Sequence, residues 1–170
     1  MDRTPLNSQQ WLQFDSKNQE FYGLPMESDV KSQEYQLVCE DKEGLTANDG
    51  LIVVVHPKPK QFYSVEFTIA IDVLYETFVN SSFLKRKFVE RITELFGDSS
   101  TDAIILESIS EGSTIITWFN RTLPTNKCPT EEIRRLREVL INDDESMSER
   151  LGKKIFATNQ FVNDFLILIL

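Results

Sequence analysis

The sequence is poor in the residues from which metal, redox and hydrolytic sites are built. It has 2 cysteines, Cys39 and Cys128, and 1 histidine, His56, in 170 residues. Neither cysteine belongs to a CxxC pair, which argues against a zinc site. Cys39 and Cys128 can form one long-range disulfide or stand as two free thiols, and they fall in different candidate domains. His56 sits beside Pro57 with no partner pattern around it, so it reads as a surface residue rather than a base or ligand. No glycine-rich phosphate loop and no nucleophile–base pair is visible, which argues against an enzyme. Positive charge is also scarce. With 18 Lys and Arg against 27 Asp and Glu, the net charge is −9. Neutralising nucleic-acid phosphates or anionic lipid needs the opposite sign, so neither is an expected partner. The charge fits solubility and a surface that meets cations or basic partners. Long hydrophobic runs are missing: nothing approaches the ~18 apolar residues of a membrane span, and Met1-Asp2-Arg3-Thr4-Pro5 opens no secretory signal. The run Phe165–Leu170 reads as a buried strand. Ending on it, the chain is expected to be a piece of something longer.

What is present is a composition that folds. Apolar residues make up 41% of the chain, enough for one medium domain or two small ones. The first part is strand-and-turn text. Trp11–Phe14 is a short apolar stretch, followed by the turn residues Asp15-Ser16-Lys17-Asn18. Glu20-Phe21-Tyr22 then meets the breaker cluster Gly23-Leu24-Pro25. Tyr35–Cys39 alternates as a strand does, Lys42-Glu43-Gly44 is a turn, and Leu51–Val55 is a β-branched strand. The proline-rich stretch His56–Lys60 marks a linker and the expected boundary between domains 1–60 and 61–170.

The second part changes rhythm. Phe62–Ile71 alternates as a strand. Phe83–Phe96 carries apolar residues at 84, 88, 92 and 95, a helical stripe that Gly97 closes as a C-cap. Ala103–Ile109 and Thr114–Phe119 read as two strands of a hairpin around Ser110-Glu111-Gly112-Ser113. Pro129-Thr130-Glu131-Glu132 opens a helix, with acids favouring the positive end of its dipole. Ile133, Leu136, Leu140 and Ile141 give it an apolar face. After a polar break, Leu151–Gln160 reads as a short helix and Phe161–Leu170 as the last strand. The order is β-α-β-β-α-β, the split βαβ, ferredoxin-like arrangement, which by itself carries no function.

Several features carry candidate chemistry. Glu111-Gly112-Ser113-Thr114-Ile115-Ile116 is either an ordinary hairpin turn or a strained Gly-Ser bond. In the second reading the serine hydroxyl attacks the preceding carbonyl, provided the fold holds it in reach and weakens amide resonance. Two Asn-x-Ser/Thr sequons stand at Asn80 and Asn120, both expected to be exposed. Glu40, Asp41, Asn48 and Asp49 carry acceptor oxygens, but the linker after Val55 offers no carboxylate to complete a calcium shell. No metal or cofactor is therefore expected. Trp11, Phe14, Phe21, Tyr22 and Trp118 are expected in the core.

The ordered set of short motifs resembles one family. Trp11-Leu12-Gln13-Phe14-Asp15-Ser16, Phe21-Tyr22-Gly23-Leu24-Pro25, Glu34-Tyr35 and Asp41–Ala47 are similar to the cadherin-like domains of the dystroglycans and sarcoglycans. Phe96-Gly97-Asp98, Gly112–Trp118, Asn120–Pro124 and Cys128-Pro129 resemble the dystroglycan segment that follows. The resemblance implies an α+β chain: a partial cadherin/Ig-like β-sandwich at 1–60, without its opening strands, then a SEA-like, ferredoxin-like domain at 61–170. It implies a self-cleavage at Gly112-Ser113, with Ser113 as nucleophile and Gly112 as acyl residue. The precursor then becomes an α/β heterodimer whose subunits stay associated. Asn120 matches a glycosylation position of the family, and Asn80 has no matched counterpart. The implied setting is the extracellular face of the plasma membrane, within a single-pass receptor linking matrix to cytoskeleton. Its implied partners are the complementary subunit and, through the full-length receptor, sarcoglycans and extracellular matrix proteins. An unprocessed cadherin- or sarcoglycan-like binding domain is the alternative. This chain departs from the family where Thr114 replaces an apolar β-branched residue and where Ser99, Ser100 and Thr101 replace a cysteine. The family's mucin-like stretch and cytoplasmic tail are not in this segment.

Overall fold

The computed structural model describes residues 5–58, 63–112, 114–155 and 162–169. It is a mixed structure of helices and antiparallel sheets. The chain forms two compact units, Met1–Gly23 with Gln61–Leu170, and Leu24–Lys60. The first 23 residues thus pack with residues 61–170, whereas the expected division put them with residues 24–60.

The larger unit is organised by a 4-stranded sheet. Its strands are β5 (Phe67–Asp72), β6 (Ile104–Ser110), β7 (Ile115–Asn120) and β8 (Val162–Ile169). Their spatial order is β6-β7-β5-β8, with every neighbour antiparallel. Helices α1 (Tyr75–Val79) and α2 (Ser82–Phe96) lie between β5 and β6 in the chain, and α3 (Thr130–Leu140) and α4 (Glu149–Ile155) between β7 and β8. The first strand starts at Phe67, later than the alternation predicts, and Phe62 lies outside the described residues. Tyr63 instead stacks on Phe119 at 4.4 Å. Helix α1 was not predicted; at five residues it is too short to show a periodic stripe.

Alternation explains the core. Phe67, Ile69 and Ile71 of β5 and Ile116 and Trp118 of β7 are fully buried. Leu84, Phe88, Ile92 and Phe96 form the buried stripe of α2, so Phe96 takes the inward place predicted for Leu95. The two sets meet ring on ring: Trp118 lies 5.5 Å from both Phe67 and Phe88, and Phe67 lies 5.3 Å from Phe96. Each such side chain contributes about 1.5–3 kcal/mol on burial. Trp118 Nε1 is buried without a hydrogen-bond partner, which costs about 1–3 kcal/mol and is offset by the indole's packing. Ser81 caps the start of α2 by accepting from Leu84 N–H at 3.2 Å. Gly97, at φ 77°, ends it in the left-handed conformation that glycine adopts without strain.

A two-stranded ribbon, β1 (Leu12–Asp15) with β2 (Glu20–Gly23), belongs to the same unit. Ser82 Oγ lies 2.6 Å from the Trp11 carbonyl and 3.0 Å from that of Gln10. Arg86 bridges to Glu20 at 3.5 Å and sits over the Tyr22 ring. Burial opposes ionisation of Glu90, but hydrogen bonds from Lys87 and Arg86 outweigh it and hold this carboxyl below its ordinary range. A Cβ on Gly23 would fall 2.1 Å from the Trp11 carbonyl oxygen, so only glycine fits there. The aromatics of this ribbon are not in the core. Phe14 and Phe21 are exposed and shield each other at 4.8 Å, because a ribbon with one docked end leaves its turn end uncovered. Of the five aromatics expected inside, Trp118 alone is fully buried.

The smaller unit contains a second ribbon, β3 (Ser32–Glu40) with β4 (Thr46–Val54). Val38, Leu45, Ile52 and Val54 are exposed on it.

Candidate functional site

The predicted cleavage residues fall in the turn between β6 and β7. The last ladder pair is Ser110 with Ile115, leaving residues 111–114 to turn the chain. Ser113 lies outside the described residues. Its two neighbours differ sharply in backbone conformation. Gly112 has φ 101°, open to glycine at no steric cost. Thr114 has φ 30°. For a β-branched residue that conformation is a true outlier, costing on the order of 1–3 kcal/mol.

The surroundings hold Thr114 in place. It is wholly buried. Its hydroxyl donates to the Val73 carbonyl at 2.5 Å, and its own carbonyl accepts from Ile71 N–H at 3.1 Å. Both anchors are at the end of β5, whose Ala70 pairs with Ile115 one residue on. The strand predicted to begin at Thr114 therefore begins at Ile115. Composition marks Thr114 only as a good strand residue, and its backbone strain comes from these non-local bonds.

The two sequons are placed differently. Asn80 is exposed at the end of α1, its Nδ2 donating to Glu76 at 3.0 Å. The hydroxyl of its sequon partner Ser82 is turned inward to the Trp11 carbonyl. Asn120 is buried, contrary to the expected exposure. Its Nδ2 donates to Asp98 Oδ2 at 2.8 Å, and its Oδ1 accepts from Thr122 N–H at 2.8 Å and from Thr122 Oγ1 at 2.7 Å. Thr122 Oγ1 also lies 3.2 Å from Asp98 Oδ1. Asp98 therefore has a role that its appearance in a short motif did not reveal. The signal for burial was present: Ile116, Trp118 and Asn120 alternate along one face of β7.

Cys39 and Cys128 are both free and exposed. Among the described residues no group of three or more His, Cys, Asp or Glu is gathered to hold a metal ion. Among the same residues no helix is long and apolar enough to cross a membrane.

Helices with antiparallel sheets and ribbons make a common mixed architecture that names no function by itself. A family model described as dystroglycan domain 4 matches residues 65–161. A second, described as the third Ig-like domain of alpha-dystroglycan, matches residues 1–56. The first match alone spans more than half of the chain, and the chain belongs to the dystroglycan family.

Proposed function

We propose that this chain is the subunit-junction module of a dystroglycan-like receptor, in which a SEA-type, ferredoxin-like domain cleaves itself at Gly112-Ser113 and then holds the two products together. The order β6-β7-β5-β8 carries this reading. A cut in the β6–β7 turn leaves β5 and β6 on one product and β7 and β8 on the other. The strands then alternate between products across the sheet, so each of its ladders crosses the subunit boundary. Separation would also pull Trp118 away from Phe67 and Phe88, and Asn120 away from Asp98.

The reaction needs no external base. Ser113 Oγ attacks the Gly112 carbonyl carbon, and the hydroxyl proton passes to the departing amide nitrogen. The C–N bond breaks as the ester forms. Water then hydrolyses the ester, giving a Gly112 carboxylate, a restored Ser113 hydroxyl and a free α-amine. The φ of 30° at Thr114 supports this reading, because it puts steric strain in the turn that the cut would release. The extracellular setting on a single-pass receptor, and contacts with sarcoglycans and matrix proteins through the whole receptor, follow from the family. Of the two sequons, Asn80 is the better glycan acceptor, since a glycan on Asn120 Nδ2 would have to displace Asp98. Modification at Asn80 would precede folding, because Ser82 is buried in the fold.

Mass measurement under native and denaturing conditions tests the proposal. One native species that splits into two polypeptides ending at Gly112 and beginning at Ser113 is expected. A single intact polypeptide in denaturant would remove the cleavage. The alternative, an unprocessed cadherin- or sarcoglycan-like binding domain, is favoured by one observation: the exposed Val38, Ile52 and Val54 on the β3–β4 ribbon.

A further inference from the structure

We infer, independently of any cleavage, that β3 is a self-association edge: two copies of this chain pair antiparallel along it and join their two-stranded ribbons into one sheet. The ladder register shows which groups that edge offers. Val55 N–H donates to Lys31 O at 3.0 Å, and Asp41 N–H donates to Leu45 O at 3.0 Å. Both bonds continue the register that pairs Ser32 with Val54 and Glu40 with Thr46. Bonded and non-bonded pairs alternate along an antiparallel ladder. The odd-numbered residues of β3 therefore spend their backbone groups on β4, and Ser32, Glu34, Gln36, Val38 and Glu40 turn theirs away from it. Among the described residues β3 pairs with β4 alone, and these outward-bonding residues are all exposed. A nine-residue edge without proline is a template for another strand. A two-stranded ribbon is also marginally stable by itself, and further strands relieve that.

Charge complementarity selects a second copy as the occupant and fixes the register. With Gln36 on the two-fold axis, Lys31 stands opposite Asp41 of the second copy, and symmetry makes that pair twice. Asp41 Oδ1 is taken by the N–H groups of Glu43 and Leu45, which leaves Oδ2 for the lysine. Tyr35 then faces Leu37 on one side of the sheet. On the other side Val38, exposed in a single ribbon, enters the row that holds Glu34 and Ile52 of the second copy, whose side chains would cover it. A shift of two residues one way sets Glu34 opposite Glu40, a destabilising like-charge pair. The same shift the other way moves Lys31 from Asp41 to Cys39. A shift of one residue sets outward backbone groups against groups already spent on β4. The β4 edge has no such match: pairing it with itself about Gly50 sets Asp49 opposite Leu51, and its outward Asn48 and Gly50 are poor strand residues.

Sedimentation of the full chain over a concentration series tests this pairing, because native mass is the same whether or not the chain is cut and its products stay together. The parent chain is expected to form a dimer that dissociates on dilution. Gln36→Pro removes an outward N–H at the axis, on an edge where proline is tolerated, and should leave monomer alone. Lys31→Glu sets like charges opposite each other twice and should weaken association about tenfold or more. Asp41→Asn keeps the Oδ1 acceptor of the turn, removes the counter-charge and should weaken association about threefold. The register is read separately by cross-linking in a Cys39→Ser, Cys128→Ser background. There Gln36→Cys should give a disulfide-linked dimer on a non-reducing gel, since the Cα atoms of a bonded pair stand about 5.5 Å apart. Leu37→Cys, off the axis and opposite Tyr35, should give little. Should Gln36→Pro fail to fold, Lys31→Glu and the cross-link decide. A parent chain that is monomeric at every concentration overturns the inference, including the case in which a different protein covers this edge. A dimer of unchanged affinity in Gln36→Pro and Lys31→Glu also overturns it, because its contact then lies elsewhere.

Discussion

Two hairpin turns in this chain look alike in sequence and differ in physics. The β3–β4 turn runs through Asp41-Lys42-Glu43-Gly44-Leu45, and the β6–β7 turn includes Glu111-Gly112 and Thr114. Each places a glycine at positive φ, 85° for Gly44 and 101° for Gly112. In the first, Asp41 Oδ1 accepts from the N–H groups of Glu43 at 2.8 Å and Leu45 at 2.9 Å. Leu45, next after the glycine, is largely exposed. This turn is satisfied by its own residues. The second turn is satisfied from outside, through Thr114 to Val73 and Ile71. A locally satisfied turn can relax, whereas one held by the core of its unit can keep strain. On the cleavage proposed above, reactivity at a glycine-containing turn would depend less on the dipeptide than on what grips the residue beyond it.

The largest expected effect separates the two turns completely. Ser113→Ala should abolish cleavage in the β6–β7 turn, leaving one polypeptide in denaturant and a native fold by circular dichroism. N-terminal sequencing of any fragments from the parent chain should give Ser113 and no end between Asp41 and Leu45. A fragment end within that second range would erase the distinction.

Support of the two hairpins should differ in cost. Asp98→Ala removes the acceptor of the buried Asn120 Nδ2 and one contact of Thr122. Leaving that amide unpaired should destabilise the larger unit by about 2 kcal/mol, read as a lower denaturation midpoint. Asp41→Ala removes two exposed backbone caps of the β3–β4 turn and should cost about 1 kcal/mol or less. Equal losses would mean that Asn120 is held no more tightly than a surface turn. The same logic applies to the sequons: an intact mass from a glycosylating host should fall by one glycan in Asn80→Gln and stay unchanged in Asn120→Gln.

Much of this architecture was legible because it rests on local periodicity. Phe67, Ile69 and Ile71 alternate, Leu84, Phe88 and Ile92 recur every fourth residue, and Gly97 stands where α2 ends. The order of strands and helices in the second part followed from those patterns. What escaped the reading depends on distant partners. Nothing near Trp11 shows that its carbonyl meets Ser82, 71 positions away, so the packing of the β1–β2 ribbon with the larger unit has no local signal in the sequence. Nothing near Thr114 shows Val73, 41 positions away. The candidate site is therefore visible in the sequence as a Gly-Ser motif, while the positive φ and non-local bonds of Thr114 are not.

The smallest expected effect is also the sharpest on the comparison. Leu45→Ser puts a serine directly after Gly44 in the relaxed turn. Leu45 is largely exposed and its N–H is already bonded to Asp41, so the new side chain enters an open site. Stability should change by less than about 0.5 kcal/mol, as for other exposed positions. The fragment pattern on a denaturing gel should match that of the parent chain, with no new cut. A hydroxyl next to a glycine carbonyl is present in both turns of this variant, and only one of them is gripped by the core of its unit. Cleavage of the bond after Gly44 would therefore show that the dipeptide suffices and that the grip on Thr114 is incidental. Silence there, beside cleavage at Gly112-Ser113 in the same molecule, would assign the difference to strain held by Val73 and Ile71.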